Sequence, residues 1–287
     1  MLDPADRDAY LARLGLPAEA PSADALVRLH RAHAERIPYE TLWIQLGEGW
    51  TTAPVASARR VAHLGRGGYC YHLNGALSEL LATLGYRVTR HVGGVHGPDG
   101  ITDDEMTNHL VLLVHDLPSD ANPEGTWYVD VGLGDALHDP LPLAAGSYRQ
   151  GPYELSLEAT AGAVGDWHLT HAPGGSFTGM SWRREPTDIA VFDRTHQWLS
   201  TSPESGFVKY LTVQRRDATS VDMLRGLTLR RLGDGAFEST IESRAELLEC
   251  LVDRFRLRLD GIPAEALDGA WHRIKAAHDA WDAAGRP

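Results

Sequence analysis

The sequence predicts an α+β fold in three consecutive parts: an N-terminal helical bundle (residues 1–90), a central antiparallel β-barrel-like domain (91–195) and a C-terminal mixed α/β lid (196–287). Apolar residues recur at helical spacing in the first part, and β-branched and aromatic runs alternate with turn-forming residues in the second. In the third part, strand-like runs precede helical ones. A chain of 287 residues exceeds a typical domain of about 100–200 residues, so we expect several units that pack together.

The first part contains recognisable helix boundaries. DPADRDAYLARLGL predicts a short helix that ends at Gly15. SADALVRLHRAHAERI predicts a second helix, with Ser22 as its N-cap and Pro38 after its end. Residues 71–86 have apolar side chains at i, i+3, i+4 and i+7, so they predict an amphipathic helix that Gly85 ends.

Strands are predicted by a different pattern. RVTRHVGGV, HLVLLVHDL and TWYVDVGL come first, and YELSLEAT, GDWHLTHA and SFTGMSWR follow. In the third part, GFVKYLTVQRR and DMLRGLTLRRL are each predicted as a strand. Helices are expected from about residue 242 to residue 284, with a break at 261–263.

Composition excludes several classes of protein. A net charge of −12 is unfavourable for binding nucleic acid, which requires a basic surface. Two cysteines cannot form a disulfide framework. The N-terminus is acidic, and no apolar run reaches the ~18 residues of a spanning helix, so we expect a soluble, cytoplasmic protein.

Cys70 is the first candidate for chemistry. It follows a Gly-Gly pair in RGGYCYHLNG and lies at the start of a predicted helix. Free amides and the helix dipole at such a position favour an anion, and the thiolate is the nucleophilic form of cysteine. The alternative is a small buried apolar residue, which is how Cys250 is interpreted within SRAELLECLVDRF.

A nucleophilic cysteine needs a base and a group that orients the base. His109 begins one predicted strand and Asp130 interrupts the next, where a buried charge requires a partner. The two are directly opposed, with Cβ atoms ~5 Å apart, if the hairpin is centred near residues 119–120. A centre symmetric on the loop lies about two residues later, so this geometry is allowed but not required. Alternatively, Asp130 caps a turn and His109 is an ordinary edge histidine.

Together these residues occur in a specific set of motifs. The chain carries IPYETL (37–42), RGGYC (66–70) followed by Asn74, TNHLVLLV (107–114), WYVDVGLG (127–134) and STSPESGF (200–207). In this order they resemble the arylamine N-acetyltransferase family. The resemblance implies a three-domain layout with a papain/transglutaminase-like core and a Cys-His-Asp triad on Cys70, His109 and Asp130. It also implies ping-pong transfer of an acyl group from acetyl-CoA, the cosubstrate, to an aromatic amine, hydrazine or hydroxylamine.

Further positions gain implied roles from the same resemblance. Glu40 and Arg66 match a structural ion pair that braces the nucleophile loop. The acyl and acceptor pocket is expected to include Tyr39, Tyr71, Leu133 and Phe207. Gly132 and Gly134 are candidates for close backbone approach by coenzyme A. No metal site is predicted, because Cys70 and His72 lack a second pair of ligands at suitable spacing.

Three residues depart from the family pattern. His72 stands where an acidic or amide residue is more usual, Leu133 where phenylalanine is common, and Asp135 where a small residue is usual. Leu133 is expected to enlarge the pocket, and Asp135 to place a carboxylate near its rim. These departures keep open a biosynthetic amide synthase that takes its acyl chain from an acyl carrier protein. A cysteine hydrolase of papain or transglutaminase type and a silent acyl-CoA-binding protein also stay open.

Overall fold

The computed structural model describes residues 1–97, 99–161 and 164–285, and it confirms the predicted α+β fold. Short π-helical turns at Arg60–Leu64 and Cys250–Arg254 extend the fourth and eighth helices. Within the described residues the α-helices are α1 (Pro4–Leu14), α2 (Ala23–Arg36), α3 (Leu42–Gln45), α4 (Pro54–Arg59), α5 (Cys70–Thr83), α6 (Asp193–Thr201), α7 (Gly206–Lys209), α8 (Arg244–Glu249) and α9 (Ala264–Ala283).

In the part of the chain that the structure describes, the strands form two antiparallel sheets. In the order of the chain they are β1 (Tyr39–Glu40), β2 (Arg87–His96), β3 (His109–His115), β4 (Trp127–Val129), β5 (Leu141–Pro142), β6 (Gly146–Gln150), β7 (Tyr153–Ala159), β8 (Trp167–Thr170), β9 (Gly179–Pro186), β10 (Thr212–Arg216), β11 (Ser220–Arg225), β12 (Thr228–Gly233) and β13 (Phe237–Thr240). The larger sheet has the order β5-β4-β3-β2-β9-β8-β7-β6 and curls into a nearly closed barrel. The smaller one, called the lid sheet below, has the order β1-β10-β11-β12-β13.

The helix signals of the first part are confirmed. Gly15 ends α1 in the left-handed conformation, with φ of 62°. The Ser22 side chain caps α2 by accepting a hydrogen bond from the Ala25 amide at 3.1 Å. Gly85, with φ of 93°, follows the end of α5. Each signal acts within one turn of chain, which is why it could be predicted locally.

The lid differs from its prediction in two places. GFVKYLTVQRR begins with helix α7, which the Ser205 side chain caps by accepting from the Phe207 amide, and only then becomes β10. DMLRGLTLRRL is a hairpin of β11 and β12, not one strand, because Gly226 adopts φ of 58° in a two-residue turn between paired Arg225 and Thr228. The predicted limits at residues 90 and 195 stay predictions; β2 runs through the first and α6 through the second.

Strand β3 joins the helical part to the barrel because it is buried on both faces. Leu112 and Val114 pack with the helices, whereas Val111 and Leu113 pack into the barrel core. A strand buried on both faces is apolar without alternation, which accounts for the run LVLLV. Helix α5 therefore lies directly on β3 and brings Cys70 to its start.

Strand β1 connects the helical part to the lid. Tyr39 and Glu40 pair with β10, and Tyr39 also bridges to Gly68, two residues before Cys70. The loop before Cys70 is thus fixed against both neighbouring parts. Within the described residues, no helix is both long and apolar enough to cross a membrane.

Candidate active site

Cys70 is the first residue of α5 and is 5% exposed. The glycines around it permit close packing of the backbone. A Cβ on Gly67 would lie 1.8 Å from the Pro38 carbonyl oxygen, and one on Gly132 would lie 2.7 Å from the Cys70 Cα. Cys70 and the residue after it have no carbonyl four residues earlier within the helix, so their amides are available to an anion.

His109 and Asp130 lie in direct contact. His109 Nε2 is 2.7 Å from Asp130 Oδ2, and the two side chains are 2% and 0% exposed. The other ring nitrogen, Nδ1, is left for Cys70, with which His109 also interacts. Burial lowers the pKa of His109, but the Asp130 carboxylate and the neighbouring Cys70 outweigh it and raise the pKa to about 10. The site therefore holds a protonated imidazole beside a cysteine.

The register of the hairpin differs from the one that would oppose these residues. Leu112 pairs with Val129, so Asp130 continues opposite Val111, and His109 instead pairs with Gly93 of β2. The direct opposition that the sequence allowed but did not require does not occur, because the loop between β3 and β4 places the centre of the hairpin one residue later. The side chains meet nevertheless, since His109 and Asp130 lean toward each other at the end of the paired region.

Four donors converge on the Asp130 carboxylate. Asn74 Nδ2 and the Gly132 amide donate to Oδ1 at 2.7 and 2.9 Å, and the Tyr128 hydroxyl joins His109 at Oδ2 at 3.0 Å. Asn74 also accepts from the Val131 amide at 2.9 Å. The interruption of an apolar strand by Asp130 had signalled the need for partners, but it did not say which side chains supply them.

His30, from α2, is a residue that the sequence analysis missed. The backbone amide of Asp130 donates to His30 Nε2 at 3.3 Å, and His30 Nδ1 donates to the His138 carbonyl at 2.8 Å. Burial lowers the pKa of His30 to about 4. A contact between residues 100 positions apart leaves no local signal in the sequence.

His72 closes the N-terminus of α5. His72 is the third residue of the helix, and its Nδ1 accepts from the amide of the N-cap residue Tyr69 at 3.3 Å, as a side chain does in a capping box. Burial, followed by the nearby Arg60 charge, holds the pKa of His72 well below its usual value. A neutral imidazole therefore does what a glutamate or glutamine does in the usual form of this cap.

Glu40 and Arg66 form a buried pair. Arg66 Nε donates to Glu40 Oε1 at 3.1 Å, and the two side chains are 5% and 0% exposed. The other carboxylate oxygen of Glu40 accepts from the Leu42 amide at 2.7 Å. The pair connects β1 to the loop that carries Cys70.

A cavity of about 550 Å³ opens onto Cys70 and His109. Tyr39, Leu133 and Phe207 line it, and so does Gly132. A row of cross-strand neighbours on the lid sheet forms one wall, which runs from Tyr39 to exposed charged residues: Tyr39, Gln214, Met223, Arg230 and Glu238.

Three residues are placed elsewhere than expected. Tyr71 lies in the core, with its ring centroid 5.1 Å from that of Phe192 and its hydroxyl donating to the Thr107 carbonyl. Gly134 adopts φ of 71°, and a Cβ there would collide with Gln214 of this chain. Asp135 is 0% exposed and accepts from Ser176, so its carboxylate does not lie at the rim.

The chain has extensive similarity to known proteins. A family model described as N-acetyltransferase matches residues 22–263. The arylamine N-acetyltransferase of Mycolicibacterium smegmatis is 33% identical over 273 residues, which cover 88% of this chain and 92% of that protein. The arylamine N-acetyltransferase / N-hydroxyarylamine O-acetyltransferase of Salmonella typhimurium is 33% identical over 286 residues, with 97% and 98% coverage.

The fold agrees with these relatives. The structure of Mycobacterium marinum arylamine N-acetyltransferase in complex with CoA superposes with a TM-score of 0.82 at 26% identity, over 94% of this chain and 98% of that one. The structure of the M. smegmatis enzyme gives a TM-score of 0.81 at 28% identity, over 95% and 98%. This chain is an enzyme that belongs to the arylamine N-acetyltransferase family.

Proposed function

We propose that this enzyme transfers an acetyl group from acetyl-CoA to an aromatic amine, hydrazine or hydroxylamine through a thioester on Cys70. The observation that carries the proposal is the arrangement of Cys70, a protonated His109 and buried Asp130 at one end of a cavity. A thiolate paired with an imidazolium is poised to attack a thioester.

In the first half of the reaction, the Cys70 thiolate attacks the acetyl carbonyl carbon of acetyl-CoA. The amides of Cys70 and Tyr71 at the start of α5 are the candidate donors to the developing oxyanion. The carbon–sulfur bond to coenzyme A then breaks, and His109 gives its proton to the departing thiolate. The products are acetyl-Cys70, neutral His109 and coenzyme A.

In the second half, the amine attacks acetyl-Cys70 and His109 takes its proton. The bond to Cys70 breaks, which restores the thiolate and the protonated imidazole. Asp130 acts throughout by holding His109 through Nε2, so that Nδ1 stays directed to the reacting atoms. Glu40 and Arg66 support the loop that presents the nucleophile.

The cavity wall suits both substrates. The aromatic and aliphatic side chains of Tyr39, Leu133 and Phe207 suit an aromatic acceptor. Exposed Arg225 and Arg230 at the open end suit the phosphates of coenzyme A, and the related M. marinum structure is titled as a CoA complex. Gly132 and Gly134 have a role other than the expected close approach of coenzyme A. The space that a side chain would occupy at Gly132 is filled by Cys70, and at Gly134 by Gln214. Reduced cysteines and acetyl-CoA fit a cytoplasmic enzyme.

The test is intact mass spectrometry after brief mixing with acetyl-CoA without an acceptor. We expect one acetyl adduct on the wild type and on Cys250→Ala, but none on Cys70→Ala. Cys250 is a matched control because burial raises its pKa to about 11, which leaves it unreactive near pH 7. Aniline should discharge the adduct as acetanilide.

Failure has two forms. If acetyl-CoA leaves Cys70 unmodified but a longer acyl donor or an acylated carrier protein modifies it, the donor is wrong and an amide synthase is favoured. If no donor acylates Cys70 in a folded protein, the thioester mechanism is wrong. Discharge by water as fast as by amines would favour a hydrolase.

A further inference from the structure

Part of the active-site cavity is lined by one loop of the β-domain. We call residues 171–178, between β8 and β9, the wall loop. The wall loop lines the active-site cavity and also an adjoining second cavity, which His96 and Thr178 line as well. Residues of the wall loop that face both cavities are Gly174, Gly175, Ser176 and Phe177.

Asp135 fastens the wall loop at its middle. Its Oδ2 accepts from the Ser176 amide at 2.7 Å and its Oδ1 from the Ser176 hydroxyl at 2.9 Å. His171 Nε2 lies 3.5 Å from Oδ1, and both side chains are 0% exposed. A buried carboxylate needs donors that compensate for the loss of water, and Ser176 of the loop supplies two of them to Asp135.

The same contact fixes the bulky side chain of the wall. The Phe177 ring meets the His171 ring edge-on, with centroids 4.5 Å apart and an interplanar angle of 88°. Gly175 packs closely against the same imidazole, since a Cβ on Gly175 would lie 2.3 Å from His171 Cε1. The position of Phe177 therefore follows from the position of His171 and Ser176, and through them from Asp135.

Asp135 also connects the wall loop to the segment of chain that carries Asp130. It lies two residues after Leu133, another cavity residue, on the segment that begins at Asp130. Arg216, buried at 2% exposure, donates to the Asp135 carbonyl at 3.2 Å and so fixes the backbone of this segment. The wall loop is thus attached to the same segment of chain that carries Asp130.

We propose that Asp135 is a positioning residue that limits the size of the acceptor by holding the wall loop between the two cavities. The proposal rests on the proposed function, because it assigns the acceptor to this cavity. Without the carboxylate, a loop with two adjacent glycines gains freedom to move toward the second cavity. Phe177 then retreats, and fused-ring aromatic amines gain room relative to one-ring amines.

The test compares 2-aminofluorene with aniline as acceptors, as the ratio of their kcat/KM values. Asp135→Ala should raise this ratio at least about 10-fold, since pocket contacts of this kind discriminate on that scale. Ser176→Ala, which loses only the hydroxyl contact, should raise it less. Asp135→Asn keeps an acceptor for the Ser176 amide and should lie nearer the wild type than Asp135→Ala.

Asp166→Ala is the matched control. Asp166 Oδ2 accepts from the Arg184 amide at 2.6 Å in the same β-domain, and Asp166 is not among the residues that line either cavity. This variant should keep the wild-type ratio. A folded Asp135→Ala with the wild-type ratio, or an equal change in Asp166→Ala, would overturn the proposal. If Asp135→Ala does not fold, an unchanged ratio in Ser176→Ala overturns it.

A binding measurement separates this proposal from the proposed function. Dissociation constants of 2-aminofluorene and aniline, measured by quenching of tryptophan fluorescence without acetyl-CoA, need no acetyl-Cys70. If the wild type forms no thioester, the function is wrong, and the ratio of the two constants in Asp135→Ala and wild type still decides the role of Asp135. No shift in that ratio overturns the role.

Discussion

His30 and His109 both contact Asp130, yet their pKa values move in opposite directions. Both are almost fully buried, at 0% and 1% exposure. Burial lowers the pKa of His30 to about 4, whereas the Asp130 carboxylate and the neighbouring Cys70 overcome burial at His109 and raise its pKa to about 10. His30 meets the backbone amide of Asp130 and His109 meets its carboxylate.

The atom that each ring meets decides the result. A backbone amide can only donate, so it selects a neutral imidazole with a free lone pair. A carboxylate accepts a hydrogen bond from an N–H on the facing nitrogen, and its negative charge favours the protonated ring. Asp130 therefore acts through two groups: its amide ties β4 to α2, and its carboxylate holds the charge of His109. Burial of a histidine does not by itself indicate a chemical role.

Asp130→Asn should have the largest effect, because it removes the group that distinguishes the two histidines. With an amide in that place, only Cys70 still opposes the effect of burial at His109, and the pKa of His109 falls. Cys70 then lacks a protonated partner. We expect the rate constant for acetylation of Cys70 by acetyl-CoA at pH 7 to fall about 10³–10⁴-fold, the scale for loss of an orienting carboxylate.

Asp116→Asn is the control for that change. Asp116 forms an exposed ion pair with Arg87 and has φ of 63°, which asparagine tolerates, so the rate should stay at the wild-type value. A loss of less than tenfold in a folded Asp130→Asn would mean that the carboxylate does not govern His109.

His30→Leu should affect stability more than chemistry. It leaves the Asp130 amide and the His138 carbonyl buried without their partner, each at a cost of about 1–3 kcal/mol. Urea unfolding should report the loss, and His30→Gln, which can both accept and donate, should recover part of it. An unchanged free energy of unfolding in His30→Leu would show that the tie to α2 does not stabilise the fold.

The sequence predicted those features of the site that depend on local signals, which are the position of Cys70 and the need of Asp130 for polar partners. The Gly-Gly pair, the helix pattern and Gly85 placed Cys70 at a helix N-terminus, and Asp130 within an apolar strand required polar partners. The carboxylate side of the site followed from these residues and from the family motifs. The ion pair of Glu40 and Arg66, inferred from the same motifs, also has the expected contact.

The other side depends on tertiary contacts that no local pattern encodes. His30 belongs to an ordinary amphipathic helix, and only the packing of α2 on β4 brings it to Asp130. The hairpin register depends on how the 116–126 loop folds, including Asp116 in the left-handed region. The burial of Asp135 could not be predicted, because its partner, Ser176, is 41 residues away in the sequence.

The two histidines should contribute to opposite limbs of the profile of stability against pH. The unfolded state protonates a histidine near pH 6.5, so a folded pKa of about 10 at His109 gives stability that is complete below pH 6.5 and lost as pH rises toward 10. A folded pKa of about 4 at His30 gives stability that is complete above pH 6.5 and lost as pH falls toward 4.

Each limb should have a slope of at most about 1.4 kcal/mol per pH unit from its histidine. Urea unfolding between pH 4 and pH 10 should show that His109→Gln reduces the slope of the alkaline limb alone and His30→Gln reduces the slope of the acid limb alone. If either variant changed both limbs, the two rings would not be separated by the two groups of Asp130.

Tyr128→Phe should have the smallest effect on stability and activity, and it should change only the contacts of the Asp130 carboxylate. The hydroxyl donates to the same oxygen that holds His109, at 3.0 Å, while the ring stacks on Trp182 with centroids 4.5 Å apart. Phenylalanine keeps the stacking and removes a donor without leaving the carboxylate unpaired, because three donors remain. We expect a loss of about 0.5–1.5 kcal/mol in stability and a change of at most about tenfold in acetylation of Cys70. The acid limb should match the wild type, because the contact between the Asp130 amide and His30 is untouched. A loss as large as that of Asp130→Asn would assign the control of His109 to the hydroxyl instead of the carboxylate.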